Sequence, residues 1–594
     1  MNLTPFDWAI IIAFFVVSLI VGLLVSRKAG SSTTEYFLSG RNMPWWLLGV
    51  SMVATTFSSD TPNLVTGLVR ENGVAGNWGW WAFLLTGMLT VFVYAKLWRR
   101  SELMTDVEFY ELRYSGKAAT FLRGFRALYL GLIFNVVVMG AVSLAAVKFG
   151  EIILGIPGWQ TLLIAGSITL AYSVLGGLKA VIITDFVQFI MAMIGSVWAA
   201  IYLVNMDQVG GLSEMMQHPN VTPKLNLLPD FTDPAVWVPV LLVPLAVQWW
   251  ASYYPGSEPG GGGYISQRMF SAKDERNSIG ATLFFNAAHY ALRPWPWILI
   301  ALASLVVFPE LSDLSDAFPN LSADKLGHDV AYPAMLSFLP QGLLGLVAAS
   351  LIAAFMSTMS TQLNLGAAYL VNDFYHRFLR PNSTSKHLVW MGRLFSVLTA
   401  VLGLSLGLLL TDSTQAFNLL LLLGAGTGLI YILRWFWWRI NAVTEIVAMV
   451  ASLIIAGYLT FFHDNLGFLP LKPHEKIVLG AILTTTIWII GTFFTSPDDD
   501  ETLIRFYQKI RPGGTGWKPV VDRAQAQGLD VEEAPSQLPL EILCMVIGCI
   551  TVYSALFATG QWIYGRLVEA SGLTILAVGG TYFLFRVWNK LKTL

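Results

Sequence analysis

The sequence predicts an all-α membrane protein of about fifteen spans built on an inverted repeat, and three observations carry that expectation. Of 594 residues, 55% are hydrophobic and only 12% are charged, against roughly a quarter charged in an ordinary soluble domain. Apolar runs of about 20 residues, enough to cross a bilayer core as helix, recur along the whole chain. Two of these runs, five apart in order, are interrupted by proline, glycine and hydroxyl residues. An odd separation gives them opposite orientations, as a pair of inverted repeats with a broken helix in each requires.

The candidate spans are 7–26, 44–69, 77–98, 125–152, 159–176, 180–205, 234–256, 277–308, 334–370, 387–411, 414–433, 440–462, 474–495, 541–559 and 567–587. With the N-terminus outside, most of the 36 Lys and Arg fall in cytoplasmic segments, including Arg99/Arg100, Arg123/Arg126 and Arg377/Arg380, as the positive-inside rule demands. Positive charge follows the first apolar run at Arg27 and Lys28 rather than preceding it, so that run is expected to be an anchor and not a cleavable signal. The expected location is a bacterial inner membrane, with the C-terminus cytoplasmic. The 22 Trp and 36 Phe suit aromatic belts at the interfaces. A net charge of -1 gives no footing for nucleic acid. Cys544 and Cys549, five apart on different helix faces, suggest neither disulfide nor metal site. Two stretches are extramembrane: 207–232 outside, with a short helix near Leu212, and 496–539 inside, opening on Ser496, Pro497 and three aspartates.

The interruptions are where chemistry is expected, because a helix stopped in mid-membrane exposes carbonyls and amides that can hold an ion or solute. The second span carries Ser51, Thr55, Thr56, Ser58, Ser59, Asp60, Thr61 and Pro62. The seventh runs through Trp249, Trp250 and Tyr253 into Pro255, Gly256, Glu258, Pro259 and four glycines, a combination few helices survive. The plainer alternative for each is a packing kink. The ninth span crowds hydroxyls at 357, 358, 360 and 361; hydroxyl oxygen is a hard neutral ligand suited to an alkali cation, although Ser and Thr also mediate ordinary helix contacts. Asp185 stands in an apolar stretch just beyond Gly176 and Gly177. A buried carboxylate needs a partner or a cation; the alternative is an interfacial helix cap.

Several separate motifs resemble the sodium/solute symporter family of sodium–glucose, sodium–proline and sodium–sialic acid carriers. They are Glu35 to Arg41 followed by Met43, Pro44, Trp45 and Trp46; Gly176 to Val181 with Thr184, Asp185 and Gln188; Gln267 and Arg268 with Ala272 and Lys273; and Met356, Ser357, Thr358, Gln362, Leu363, Asn364 with Asp373, Phe374 and Tyr375. The resemblance covers about 35–460, and order and spacing carry it more than any one motif. It implies the LeuT-type inverted five-helix repeat: an extra N-terminal helix and inner loop (1–39), a first repeat (40–206), an external loop (207–233), a second repeat (234–439) and C-terminal extra helices (440–594). It implies a transported sodium ion held by carbonyls of Ala54, Phe57 and Ala354 and hydroxyls of Ser357 and Thr358, with Asp185 serving cation release or a second cation.

By position, the solute site is expected to draw on Thr56, Asp60, Thr61, Trp80, Trp249, Trp250, Tyr253, His289, Tyr290 and Arg293. Aromatic faces pack on rings and polar tips fix orientation. The insertion from Pro255 to Gly263 and the run Arg293, Pro294, Trp295, Pro296, Trp297 depart from the family's sugar and proline sites, so solute identity stays open. Arg293 suits either a carboxylate clamp or a structural pairing with Asp60 or Glu258. The expected function is sodium-coupled import of a small organic solute by alternating access, a sugar or related polar solute first, an amino acid or carboxylate next. The alternatives are a proton-coupled transporter, since Asp60, Glu258 and Asp185 are available, or a solute sensor of the same fold. Seven histidines without metal spacing and no nucleophile motif argue against an enzyme. No organic cofactor is expected, the partners are solute and lipid bilayer, and the chain is expected as a monomer or loose oligomer.

Overall fold

The computed structural model describes residues 3–252, 258–318, 326–410, 422 and 424–591, with the side chains of 26–28, 152, 464 and 588–591 excepted. Among the described residues, twelve helices are long and apolar enough to cross a membrane. In chain order the main elements are α1 (Pro5–Val25), the short pair α2 (Trp45–Thr56) and α3 (Thr61–Asn72), α4 (Val74–Ser101), α5 (Gly116–Phe149), α6 (Gly158–Val204), α7 (Pro234–Ala251), α8 (Gly263–Ser271), α9 (Glu275–Val307), α10 (Leu343–Leu379), α11 (Ser385–Leu409), α12 (Ala442–Phe462), α13 (Pro473–Phe494), the amphipathic pair α14 (Asp500–Ile510) and α15 (Lys518–Ala526), α16 (Leu538–Ile563) and α17 (Leu567–Val587).

The difference from fifteen spans has local causes. The second span is two half-helices, each too short to cross alone. The fifth and sixth spans join as α6, which is non-helical at Gly177 (φ 55, ψ -158), a conformation that favours glycine. Tyr172 and Asp185 would lie about 20 Å apart on a straight helix, yet Tyr172 donates to the Met356 carbonyl (3.1 Å) while the neighbouring Ser357 donates to Asp185 (2.6 Å). The chain therefore turns back at Gly177, and α6 is a hairpin of two spans. Most of the eleventh span, 414–433, lies outside the described residues, as do Tyr253 and 255–257 of the seventh. The short helix expected near Leu212 appears at Leu212–Gln217.

Burial separates a core from its wrapping. The most hydrophobic window of α10 is 94% buried, against 22% for α1 and 11% for α17, so α10 is a central post and the terminal helices face lipid. Asp7 at the start of α1 accepts the amides of Gly342 and Gly345 (2.7 and 2.8 Å), supplying acceptors that the first turn of α10 lacks within itself. Met43, before α2, exchanges backbone hydrogen bonds with Ser271 and Lys273 (both 3.1 Å). That bridge ties the lead-in of the first broken helix to the exit of α8, the far half of the second.

Candidate functional site

The first broken helix stops where the sequence places the interruption. α2 ends at Thr56 and α3 begins at Thr61; Pro62 in the first turn of α3 costs no internal hydrogen bond there. Phe57 closes α2 by donating its amide to the carbonyls of Val53 (2.9 Å) and Ala54 (3.1 Å). Its ring stacks on Trp297 of α9, 5.0 Å between centroids and 12° between planes. At the second interruption α7 ends at Ala251 and α8 begins at Gly263, and Gly260, Gly261 and Gly263 all take positive φ.

Ala54, Phe57, Ala354, Ser357 and Thr358 lie together and are buried. The Thr358 hydroxyl donates across to the Thr55 carbonyl at the end of α2 (2.8 Å) and lies 3.4 Å from the Ala354 carbonyl one turn back on α10. Ser357 donates instead to Asp185 Oδ1 (2.6 Å). One hydroxyl of α10 thus meets a carbonyl at the end of α2, while its neighbour turns to the Asp185 carboxylate.

Asp185 does not cap a helix. It sits inside the second arm of α6, fully buried, and Ser51 donates to its Oδ2 (2.5 Å). Arg268 of α8, also fully buried, reaches the same oxygen at 3.5 Å. The guanidinium donates further to Thr361 Oγ1 (2.7 Å), Ser51 Oγ (3.2 Å), Thr55 Oγ1 (3.3 Å) and Gln267 Oε1 (3.1 Å). One ion pair and a ring of hydroxyls therefore join α2, α6, α8 and α10 beside the Thr358 contact. Two buried opposite charges in contact satisfy each other where either alone would be costly. Ser51, Thr55 and Thr361 stand in stretches the sequence marks for ion chemistry and Arg268 in a motif of the resemblance, but none of the four was assigned to the site, because no local signal shows that Arg268 meets Asp185.

The expected solute residues divide. Trp80 stacks on Tyr290 (5.7 Å, 22°) and meets His289 edge-on (5.5 Å, 85°), and its indole N–H donates to Asn77 (2.9 Å). Arg293 donates to the Val53 carbonyl at the end of α2 (3.3 Å), lies 5.3 Å from the Trp297 ring centre, and is close enough for its charge to act on Asp60 and His289. Thr56 donates back to Met52 and Val53, and Thr61 donates across the break to the Thr56 carbonyl (3.3 Å). Trp249 and Trp250 turn their N–H groups back to Leu245 and Ala246 of their own helix. Tyr253 lies outside the described residues.

Beside this aromatic wall is a small cavity of about 10 Å³, room for about one water, lined by Phe83, Thr86, Gly87, Thr90, Glu258, Gly261, Ile265, Thr282, Phe285, Asn286 and Tyr290. Asp60 Oδ1, His289 Nδ1 and Asn286 Oδ1 are buried without a hydrogen-bond partner among the described residues. Thr86, Thr90, Thr282 and Asn286 escaped the sequence reading because each stands alone on an apolar helix; only packing of α4 against α9 gathers them.

The model of the Sodium:solute symporter family matches residues 36–455. The chain is 27% identical over 501 residues to a sodium/glucose cotransporter of Vibrio parahaemolyticus, covering 81% of this chain and 89% of that one. It is 25% identical over 595 residues to the human sodium/myo-inositol cotransporter 2, covering 91% and 82%. Among solved structures, a sodium-coupled sialic acid symporter in an outward-open state superposes with a TM-score of 0.66 at 18% identity, over 84% of this chain and 99% of that one; at that identity the likeness speaks for the fold alone. With the family matched across most of its length and the broken-helix bundle in place, the chain belongs to the sodium:solute symporter family and is a multi-pass, sodium-coupled transporter rather than an enzyme.

Proposed function

We propose that the chain carries a neutral polyhydroxylated ring, a sugar or cyclic polyol, into the cell with sodium by alternating access. The ion is held by carbonyls of Ala54, Phe57 and Ala354 and hydroxyls of Ser357 and Thr358. The observation that carries this is the 2.8 Å hydrogen bond from Thr358 to the Thr55 carbonyl: a hydroxyl of α10 already addresses the freed end of α2, which is the contact a bound cation would strengthen. Asp185 serves that pocket from the side through Ser357. The repeats are 40–206 and 234–439, and the N-terminus is outside.

For the solute, support comes from the Trp80, Tyr290 and His289 wall, the adjoining cavity, and three buried polar atoms of Asp60, His289 and Asn286. An unpaired buried polar group costs about 1–3 kcal/mol, which a solute hydroxyl, both donor and acceptor, would remove. Aromatic faces suit the apolar faces of such rings. Relatives are named for glucose, mannose and myo-inositol, all neutral polyols. Sodium entering down a membrane potential supplies about 2.3 kcal/mol per 100 mV, or roughly a fifty-fold solute gradient before any sodium gradient is counted.

The test is uptake into proteoliposomes under imposed sodium or proton gradients, across glucose, mannose, myo-inositol, proline and sialic acid. Uptake of a neutral polyol that needs sodium is the expected result. Uptake that ignores sodium removes the ion assignment, and sodium-driven uptake confined to proline or sialic acid removes the solute assignment.

A further inference from the structure

We propose that the cytoplasmic segment 496–539 is a clasp on the solute's exit path, docked in this structure over an inner vestibule and lifted when solute leaves. The inference rests on the direction of transport proposed above but not on the solute's identity.

Two cavities lie end to end. The one beside Tyr290 shares Glu258 and Gly261 with a second, also constricted to about 10 Å³ in this closed arrangement, lined by Asp106, Val107, Tyr110, Arg126, Leu130, Glu258, Pro259, Gly261, Gly262, Tyr431 and Arg434. The second cavity leads toward the cytoplasmic ends of α4 and α5. Its wall on that side is an aromatic cage: the Arg434 guanidinium lies against Phe109 (4.4 Å), Tyr431 (4.7 Å) and Tyr110 (5.5 Å), and Trp435 packs on Trp98 (4.7 Å) and Phe109 (4.5 Å).

The segment holds that cage shut from outside. Trp517 donates to the Trp435 carbonyl (2.7 Å), and Phe506 and Trp517 stack on each other. Both rings cover Arg113, at 5.4 and 4.8 Å. Arg113, in the loop between α4 and α5 and fully buried, donates to the carbonyls of Arg434, Trp437, Trp438 and Ile440 (2.9–3.2 Å) and lies 3.8 Å from Asp498. At the other end, Arg100 of α4 donates to the Ile510 carbonyl (2.7 Å), and Lys509 pairs with Glu102 (3.9 Å). Arg523 covers Trp438 at 4.6 Å. One short segment therefore staples the inner end of α4, the α4–α5 loop and the chain at 434–440, the parts that must separate for the second cavity to open inward.

The staple has the make-up of a reversible device. Its anchors to the membrane helices combine cation–aromatic contacts, single hydrogen bonds and ion pairs with a buried apolar face of Leu503, Phe506, Ile510 and Trp517, and packed elements joined in this way can part as a unit in a shear or hinge motion. Arg113 is a positioning residue: it touches no ion or solute and acts by holding the carbonyls after Arg434.

The experiment uses the full chain in proteoliposomes. Cysteines introduced together as Glu102→Cys and Lys509→Cys are joined by a reducible bis-methanethiosulfonate cross-linker that spans the Lys–Glu reach, with cross-linking verified by mass; the native Cys544 and Cys549 are buried. Uptake is expected to fall by about tenfold or more on cross-linking and to return on reduction, as a two-state gate held in one state requires. Uptake by verified cross-linked protein at the rate of the uncross-linked protein overturns the clasp. Independently, and with neither sodium nor solute present, Val107→Cys is labelled from the cytoplasmic side with a membrane-impermeant maleimide. Labelling is expected to quicken several-fold in the Trp517→Ala background, and an unchanged rate overturns the proposal. Because labelling needs no transport, failure of the transport reading would not mimic either outcome.

Discussion

Thr358 and Ser357 occupy neighbouring places on α10 but address different partners, one the Thr55 carbonyl and the other Asp185. Removing either hydroxyl by Ser357→Ala or Thr358→Ala is expected to raise the sodium needed for half-maximal uptake by about tenfold, the equivalent of about 1.4 kcal/mol; a sodium titration that does not move would place the ion elsewhere. Trp80→Ala is expected to raise the solute KM by about tenfold through loss of aromatic packing, with the protein still stabilised by sodium alone. If the solute KM is unchanged, the wall of Trp80, Tyr290 and His289 is not a solute surface. Arg268→Ala leaves Asp185 buried without its counter-charge, and breaking a buried pair in this way costs about 3–5 kcal/mol. The expected readout is a large loss of folded protein in detergent thermal unfolding, with Arg268→Lys intermediate because it keeps charge but loses the planar fork.

At the scale of elements, Gly177 decides whether α6 is one rod or two spans. Its φ is +55, and a Cβ there would stand 2.5 Å from the Tyr36 carbonyl oxygen. Gly177→Ala is therefore expected to destabilise the fold by about 1–3 kcal/mol and to lower the amount of monodisperse protein recovered. Gly514→Ala, also at positive φ but with open space around its Cβ, is the milder comparison. The pair α14 and α15 has its own start signal. Asp499 accepts the Thr502 amide (2.8 Å) at the head of α14, and hydrogen bonding with Ser115, then the Thr502 amide, holds its carboxyl below the ordinary range. A depressed carboxyl contributes stability above its unfolded value near 3.8 and loses it as pH falls through the lower folded value. Asp499→Ala is expected to cost about 1 kcal/mol of local stability, seen as faster proteolysis of the 496–539 segment at neutral pH.

For the whole molecule, sodium joins α2 to α10 and so favours the assembled bundle over any state in which they part. Folded-state stabilisation by a ligand at a hundred times its Kd is about 2.7 kcal/mol. Sodium, and not potassium at equal ionic strength, is expected to raise the melting temperature of the purified protein. Equal effects of the two salts would mean that the broken-helix pocket is not selective.

The sequence by itself determined the solvent, the helical class, the two interruptions and the hydroxyls at 357 and 358, because hydropathy, Pro and Gly act through the local chain and leave a local mark. Runs long enough to span are legible one by one, and so was the stop between Thr56 and Thr61. The tertiary structure alone decided which distant side chains meet. Arg268 finds Asp185 only because the Met43 bridge brings the end of α8 beside the start of α2. Asn286 and Thr86 face one cavity only because α9 packs on α4. Trp249 and Trp250, which local aromatic character nominated for the solute, turn their N–H groups back to their own helix. The fifth and sixth spans became a hairpin at one glycine dihedral, and the 496–539 segment docks on Arg113. For the Arg268–Asp185 pair, the α4–α9 cavity and the Arg113 dock, the deciding energy is a contact between residues far apart in the chain, and no local pattern encodes its geometry.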